Sequence, residues 1–214
     1  MIESATGLIL RTRPLTETSL IVHWLTPVFG RIATVAKGAR RAQSPFLGKL
    51  DLFYLADFSF NRSRRSDLHT LREASLRELH GALRHDLSRL RQAAYAASFI
   101  EQATETETPL PAVFELMRDF LAALCRHPSA PQNVFAFELK LLHELGLKPD
   151  LGKTRLTPGG RQIARALLQN DWPACSRLKP APAQTAELAQ FLHGFLIFHL
   201  GHLPKGRTAA LKGD

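Results

Sequence analysis

The sequence predicts an α+β chain in which a small five-stranded β domain precedes an all-helical one. Three observations carry this. The first 70 or so residues read as short β-rich runs separated by turn residues. After about residue 75 the apolar period changes from two to near 3.6. The 214 residues, 45% of them hydrophobic, suffice for a real core in each part. The boundaries are 1–78 for the β domain and 79–214 for the helical one. A Pro- and Gly-rich insert lies at about 147–183.

The strands follow in order. Ala5–Arg13 is rich in β-formers and stops at Pro14. Ser19–Thr26 ends in a Pro27-Val28-Phe29-Gly30 turn, and Arg31–Ala36 leads into the basic run Lys37-Gly38-Ala39-Arg40-Arg41. Asp51–Phe60 is a fourth strand, Asn61–Ser66 a polar turn and Leu68–Leu71 a fifth strand. Five short strands at regular spacing suit a small barrel or sandwich.

Helices take over from there. Leu83, Leu87, Leu90, Ala94 and Ala97 share one helical face, and Thr104–Pro109 ends that helix. Pro111–Cys125 carries a second apolar stripe and Asn133–Leu145 a third, with Gly146 placed to cap it. The third helix is apolar on more than one face, which suits a central core helix or, less often, a helix with one side forming a groove for a partner peptide. Within the insert only Arg161–Leu168 reads as helix. Gln184–Leu200 is the last strong helix.

Charge narrows the partners. The formal net charge is +9 and the sequence pI about 10.1, a balance that favours nucleic acid or an anionic surface. Residues 1–80 carry +5, residues 81–147 carry −2 and residues 148–214 carry +6. Basicity therefore sits at the two ends of the chain. Lys37, Arg40 and Arg41 can each neutralise a phosphate, and Gly38 lets the backbone approach closely. Alone, such a run is more often a solvated turn. Arg11, Arg13 and Arg31 belong to the same small β domain and make a groove for a single strand a coherent reading. Phe29 and Phe46, in turns beside cations, are candidate stacking platforms.

Other chemistry is excluded or weak. Cys125 and Cys175 have no metal-type spacing and read as reduced thiols of a cytoplasmic protein. His193, His199 and His202 have no carboxylate or cysteine nearby to complete a metal cluster. No P-loop, nucleophile elbow or HExxH occurs, so no catalytic residue is assigned and the chain is read as a non-enzyme. Gly159-Gly160 reads as a plain turn rather than an anion site. No run approaches ~18 consecutive apolar residues, and no basic-then-apolar N-terminal signal is seen, so neither a membrane span nor secretion is expected.

The order of short motifs resembles the RecO family. The resemblance starts with Gly7–Pro14, Glu17, Leu20-Ile21-Val22, Leu25-Thr26 and Phe29-Gly30. It continues through Val35–Arg41, Ser44, Gly48-Lys49-Leu50 and Leu68–Ala74. Phe137–Gly146 with Pro149-Asp150-Leu151 looks like the family's central helix and its exit, and Phe191–Arg207 like its closing helix and basic end. Membership implies a bacterial DNA-repair mediator with an N-terminal OB-fold, acting in the cytoplasm at the nucleoid. It implies binding and annealing of single- and double-stranded DNA. It implies contact with the acidic tail of single-stranded-DNA-binding protein, and RecA loading together with RecR. On this reading Lys37, Arg40 and Arg41 hold DNA, with Arg11, Arg13 and Arg31 in support and Lys205 and Arg207 extending the path. Phe135, Leu139, Lys140 and His143 are the candidate tail site, a cation beside apolar surface. Many relatives carry a four-cysteine zinc module after the central helix. Leu151–Gly160 has no cysteine, so neither zinc nor another cofactor is expected. An OB-fold RNA-binding or ribosome-associated module is the rival reading.

Overall fold

The computed structural model describes residues 1–212. Two compact units are present. One is Met1–His80 with Thr104–Arg118, and the other is Gly81–Ala103 with the residues from Asp119 onward. The segment 104–118, which the sequence assigns to the helical domain, thus packs with the β unit.

The β unit is a closed barrel in the order β1-β2-β3-β5-β4. Strand β1 (Ile2–Pro14) is long enough to serve two neighbours. Its first half pairs with β4 (Leu55–Asn61) and its second with β2 (Leu20–Thr26). A bulge between Ile9 and Arg11 bends it from one to the other. Strand β3 (Gly30–Ala36) runs antiparallel to β2 and closes the barrel by parallel pairing with β5 (Leu68–Glu78). Alternation puts Ile9, Val22, Trp24, Ile32, Phe58, Phe60 and Leu71 in the interior. Each such side chain contributes roughly 1.5–3 kcal/mol when fully buried. Trp24 stacks on Phe58 at 4.0 Å, and its indole N–H donates to the Thr34 hydroxyl at 2.9 Å, so the core holds no orphaned indole.

Three strands differ from expectation, the first being β1, which begins at Ile2 rather than Ala5 because β4 pairs with it from there, and which includes Pro14. Residues 51–54 form a turn, because Phe53 takes φ 64° while its N–H reaches the Ile9 carbonyl at 2.8 Å. Strand β5 runs on to Glu78 because β4 offers pairing along that whole length.

The helical elements are α1 (Leu87–Ala103), α2 (Pro111–Arg126), α3 (Pro131–Glu144), α4 (Pro158–Gln169), α5 (Trp172–Arg177), α6 (Pro182–Leu200) and α7 (Arg207–Leu211). Proline in the first turn of α3, α4, α5 and α6 starts each without losing a hydrogen bond. Helix α3 is the hub, contacting α1, α4, α5, α6 and α7. It ends in a Schellman turn. The Gly146 N–H donates to the His143 carbonyl at 3.0 Å and the Leu147 N–H to the Leu142 carbonyl at 2.8 Å. The stripe expected from Leu83 to Ala97 is out of phase. Leu83 belongs to a separate 3-10 turn (Gly81–His85), and Asp86 restarts the helix by accepting from the Arg89 N–H. Leu87 and Ala94 therefore face solvent, and Ala93, Ala96, Phe99 and Ile100 form the buried face. Helices α5 and α7 were not apparent in the sequence, being only 6 and 5 residues long. No helix among the described residues is long and apolar enough to cross a membrane.

Candidate nucleic-acid interface

Strand register gathers cations at one end of the barrel. Pro14 pairs with Leu20 and Leu20 with Ala36, so the end of β1, the start of β2 and the end of β3 coincide. Arg13 lies one rung back, paired to Ile21, and Arg11 stands opposite His23. The turn after β3 begins here. Gly38 takes φ 69°, and the Arg41 N–H closes on the Gly38 carbonyl at 3.1 Å. Arg11, Arg13, Lys37, Arg40 and Arg41 are all exposed. The side chains of Arg13, Lys37 and Arg41 have no polar partner among the described residues. Arg40 is held. Its backbone N–H donates to the Thr18 carbonyl at 3.0 Å and its Nη1 to the Thr16 carbonyl at 3.2 Å. The β1–β2 loop adds a single carboxylate, Glu17. Five cations against one carboxylate make a strongly positive rim.

Two predicted DNA contacts are spent inside the protein. Arg31 donates through Nε to the Thr104 hydroxyl at 2.8 Å and through Nη2 to the Thr104 carbonyl. It joins the segment 104–108 to the barrel instead of facing a ligand. Arg207 is only 5% exposed and clasps Glu138, which is wholly buried, through Nε–Oε1 at 2.6 Å and Nη2–Oε2 at 3.1 Å. Tyr95 completes this cluster by donating to Glu138 Oε1 at 2.5 Å. Burial and the adjacent carboxylate push the Tyr95 phenol well up, so it stays a donor. Lys205 is exposed, in the helical unit.

The β4–β5 loop holds three more arginines but no net positive charge. Arg62 bonds Glu3 and Glu107, each at 2.9 Å, and the Glu3 bond leads in raising its pKa. With Asp67 in the same loop, three cations meet three carboxylates. Nor are the two aromatics platforms. Phe46 is 6% exposed in the barrel core, and Phe29 packs edge-on against Phe60 beneath Arg62. A small barrel fills its ends with whatever large apolar groups its loops supply.

The expected tail site is not an accessible surface. Phe135 and Leu139 are fully buried in α3. Lys140 donates to the carbonyls of Leu168 and Asn170 at 3.0 and 2.8 Å, capping the end of α4, and burial lowers its pKa. Of the four, only His143 is exposed. A cation beside apolar surface occurs elsewhere in this unit. A groove of about 600 Å3 is lined by Arg155, Leu156, Glu187, Gln190, Phe191 and Gly194. No local pattern signals it, because Arg155 lies in the loop before α4 and Phe191 lies in α6.

Leu151–Gly160 does not fit a zinc ion, since it offers no thiolate or imidazole. Its order comes from packing and hydrogen bonds. Leu151 and Leu156 are buried, and the Gly152 N–H donates to Asp150. Gly159 and Gly160 open α4 rather than forming a plain turn, and they face an anion, but an internal one. Glu187 accepts from the Thr157 N–H at 2.5 Å and the Thr157 hydroxyl at 2.9 Å, and a Cβ on Gly160 would overlap its carboxylate. Cys175 is buried, and burial raises its thiol pKa, which suits a packing role.

Residues 1–80 match the family described as Recombination protein O N terminal, and residues 84–154 match Recombination protein O C terminal. Curated relatives carry the name DNA repair protein RecO. That of Anaeromyxobacter sp. (strain K) is 36% identical over 146 residues, covering 68% of this chain and 58% of the relative. Those of Alkaliphilus metalliredigens and Bacillus pumilus are 33% and 32% identical, each over 71% of this chain and over 61% and 58% of the relative. The chain thus spans about three fifths of the length of these relatives.

Proposed function

The chain belongs to the RecO family, and on that premise we propose that it is a DNA-repair and recombination mediator that anneals strands without bond-making chemistry. The observation that carries this is the rim of Arg11, Arg13, Lys37, Arg40 and Arg41 at one end of an OB-fold barrel. Cations placed this way neutralise backbone phosphates and release counterions, the sequence-independent term that lets a protein hold either single or double strands. Screening two backbones at once lets complementary bases meet.

The second contact, to the acidic tail of single-stranded-DNA-binding protein, is placed on the groove of Arg155, Leu156 and Phe191. A guanidinium beside an apolar wall suits a carboxylate next to an aromatic or aliphatic side chain. RecA loading with RecR at the bacterial nucleoid completes the role.

The test is annealing of complementary strands precoated with single-stranded-DNA-binding protein, with and without its acidic tail. Wild type is compared with a Lys37→Ala/Arg40→Ala/Arg41→Ala variant. Annealing by wild type should require the tail and fail in the variant. The variant should also flatten the dependence of log affinity on log salt by about 2 for single strands, at about 0.7 per phosphate. A folded wild-type protein that anneals nothing would remove the mediator reading.

A further inference from the structure

The three cations of the basic turn are not equivalent, and an uncharged residue of a different loop accounts for the difference. The side chains of Lys37 and Arg41 have no polar partner among the described residues, whereas Arg40 is fixed twice to the β1–β2 loop, at the carbonyls of Thr18 and Thr16. That loop is itself built on one side chain. The Thr16 hydroxyl oxygen accepts from the N–H of Ser19 at 3.1 Å and of Thr18 at 3.3 Å. The Leu15 N–H donates to the Ser19 carbonyl at 2.9 Å, closing the loop from the other side. The Thr16 side chain thus folds the turn whose carbonyls aim Arg40.

We propose that Thr16 is a positioning residue for the DNA contact, holding Arg40 with its free donors turned to a phosphate. The proposal rests on the rim being the DNA site. An arginine with one donor anchored to backbone has already lost much of its rotamer freedom, so less is lost when it engages a ligand. Release of Thr16 leaves the charge in place but not its aim.

The measurement is fluorescence anisotropy of a labelled oligo-dT with the full chain across a salt series, with thermal melting as a check on folding. Thr16→Val keeps shape and removes the acceptor, while Thr16→Ser restores it. Thr16→Val should bind about fivefold more weakly at fixed salt, the cost of ordering one long side chain, with the salt slope unchanged. Thr16→Ser should bind as wild type, and Arg40→Ala should lose slope as well as affinity. A folded Thr16→Val protein that binds as wild type, while the triple-alanine variant is weakened, would overturn the positioning role. Unchanged binding by the triple-alanine variant would instead sink the premise that the rim is the DNA site.

Discussion

Gly30 sits where the barrel and the segment 104–108 come closest. Its φ is 62°, and a Cβ there would overlap the Thr108 backbone carbonyl. Backbone on the receiving side cannot swing away as a side chain can. Gly30→Ala should therefore cost about 3 kcal/mol or more, combining left-handed strain with a hard overlap, as read from urea denaturation. A second residue-scale case is Arg207. Its partner Glu138 lies at 0% exposure, so Arg207→Ala leaves a carboxylate buried without its cation. The expected loss is about 3–5 kcal/mol by chemical denaturation, and Glu138→Leu with Arg207→Met should recover part of it. Recovery would be partial because Tyr95 also loses its acceptor. Neither residue announces this role in sequence. Gly30 reads as an ordinary turn glycine, and Arg207 reads as one more basic residue near the end of the chain.

At the scale of elements, β5 and the segment 104–108 are joined by His69. This imidazole is 1% exposed, stacks on Phe60 at 5.2 Å and accepts from the Ser63 N–H through Nδ1 at 3.3 Å. Its proton therefore sits on Nε2, which faces Glu107 Oε1 at 3.2 Å. A second proton would meet the Ser63 donor. Burial holds the His69 pKa below 6.5, although Glu107, Glu3 and Asp67 favour the charged form, with Arg62 opposing them. The unfolded chain then binds the extra proton first as pH falls. The contribution of neutral His69 is complete above about pH 6.5 and is lost as pH falls through the folded value, at no more than about 1.4 kcal/mol per pH unit. Thermal melts between pH 7.5 and 5.5 should show a steeper decline for wild type than for His69→Phe. Equal slopes would mean His69 titrates normally. The existence of β5 was legible in the sequence, since Leu68–Leu71 follows the polar turn Asn61–Ser66 at the regular spacing of the earlier strands. Its length was not, because pairing with β4 carries it through Arg72, Glu73 and Glu78. Helix α3 was legible in full, because its apolar faces and closing glycine are local signals.

Over the whole molecule, what separates the basic regions is the local balance of charge rather than the number of cations. The β1–β2–β3 end of the barrel gathers five cations against one carboxylate, while at the β4–β5 loop Glu3 and Glu107 hold Arg62 and Asp67 lies in the same loop as Arg64 and Arg65. Arg64→Ala/Arg65→Ala should accordingly reduce the salt slope of DNA binding by less than half of what Lys37→Ala/Arg41→Ala does. A larger effect from the Arg64/Arg65 pair would move the DNA path to that loop.

The two-part architecture, the five strands, the central helix and the basic turn after the third strand follow from local patterns. Alternation, helical period and turn residues are properties of neighbours in sequence, and the amino-acid order carries them unaided. Which cations remain available does not follow from order. Arg31 is taken up by Thr104 and Arg207 by Glu138, across separations of 73 and 69 residues. Phe135 and Leu139 disappear into a core assembled from helices far apart in the chain. Only the tertiary structure decides such pairings. An ionised or apolar group is placed by whatever the completed fold brings within a few ångströms of it, and no local pattern encodes that neighbour.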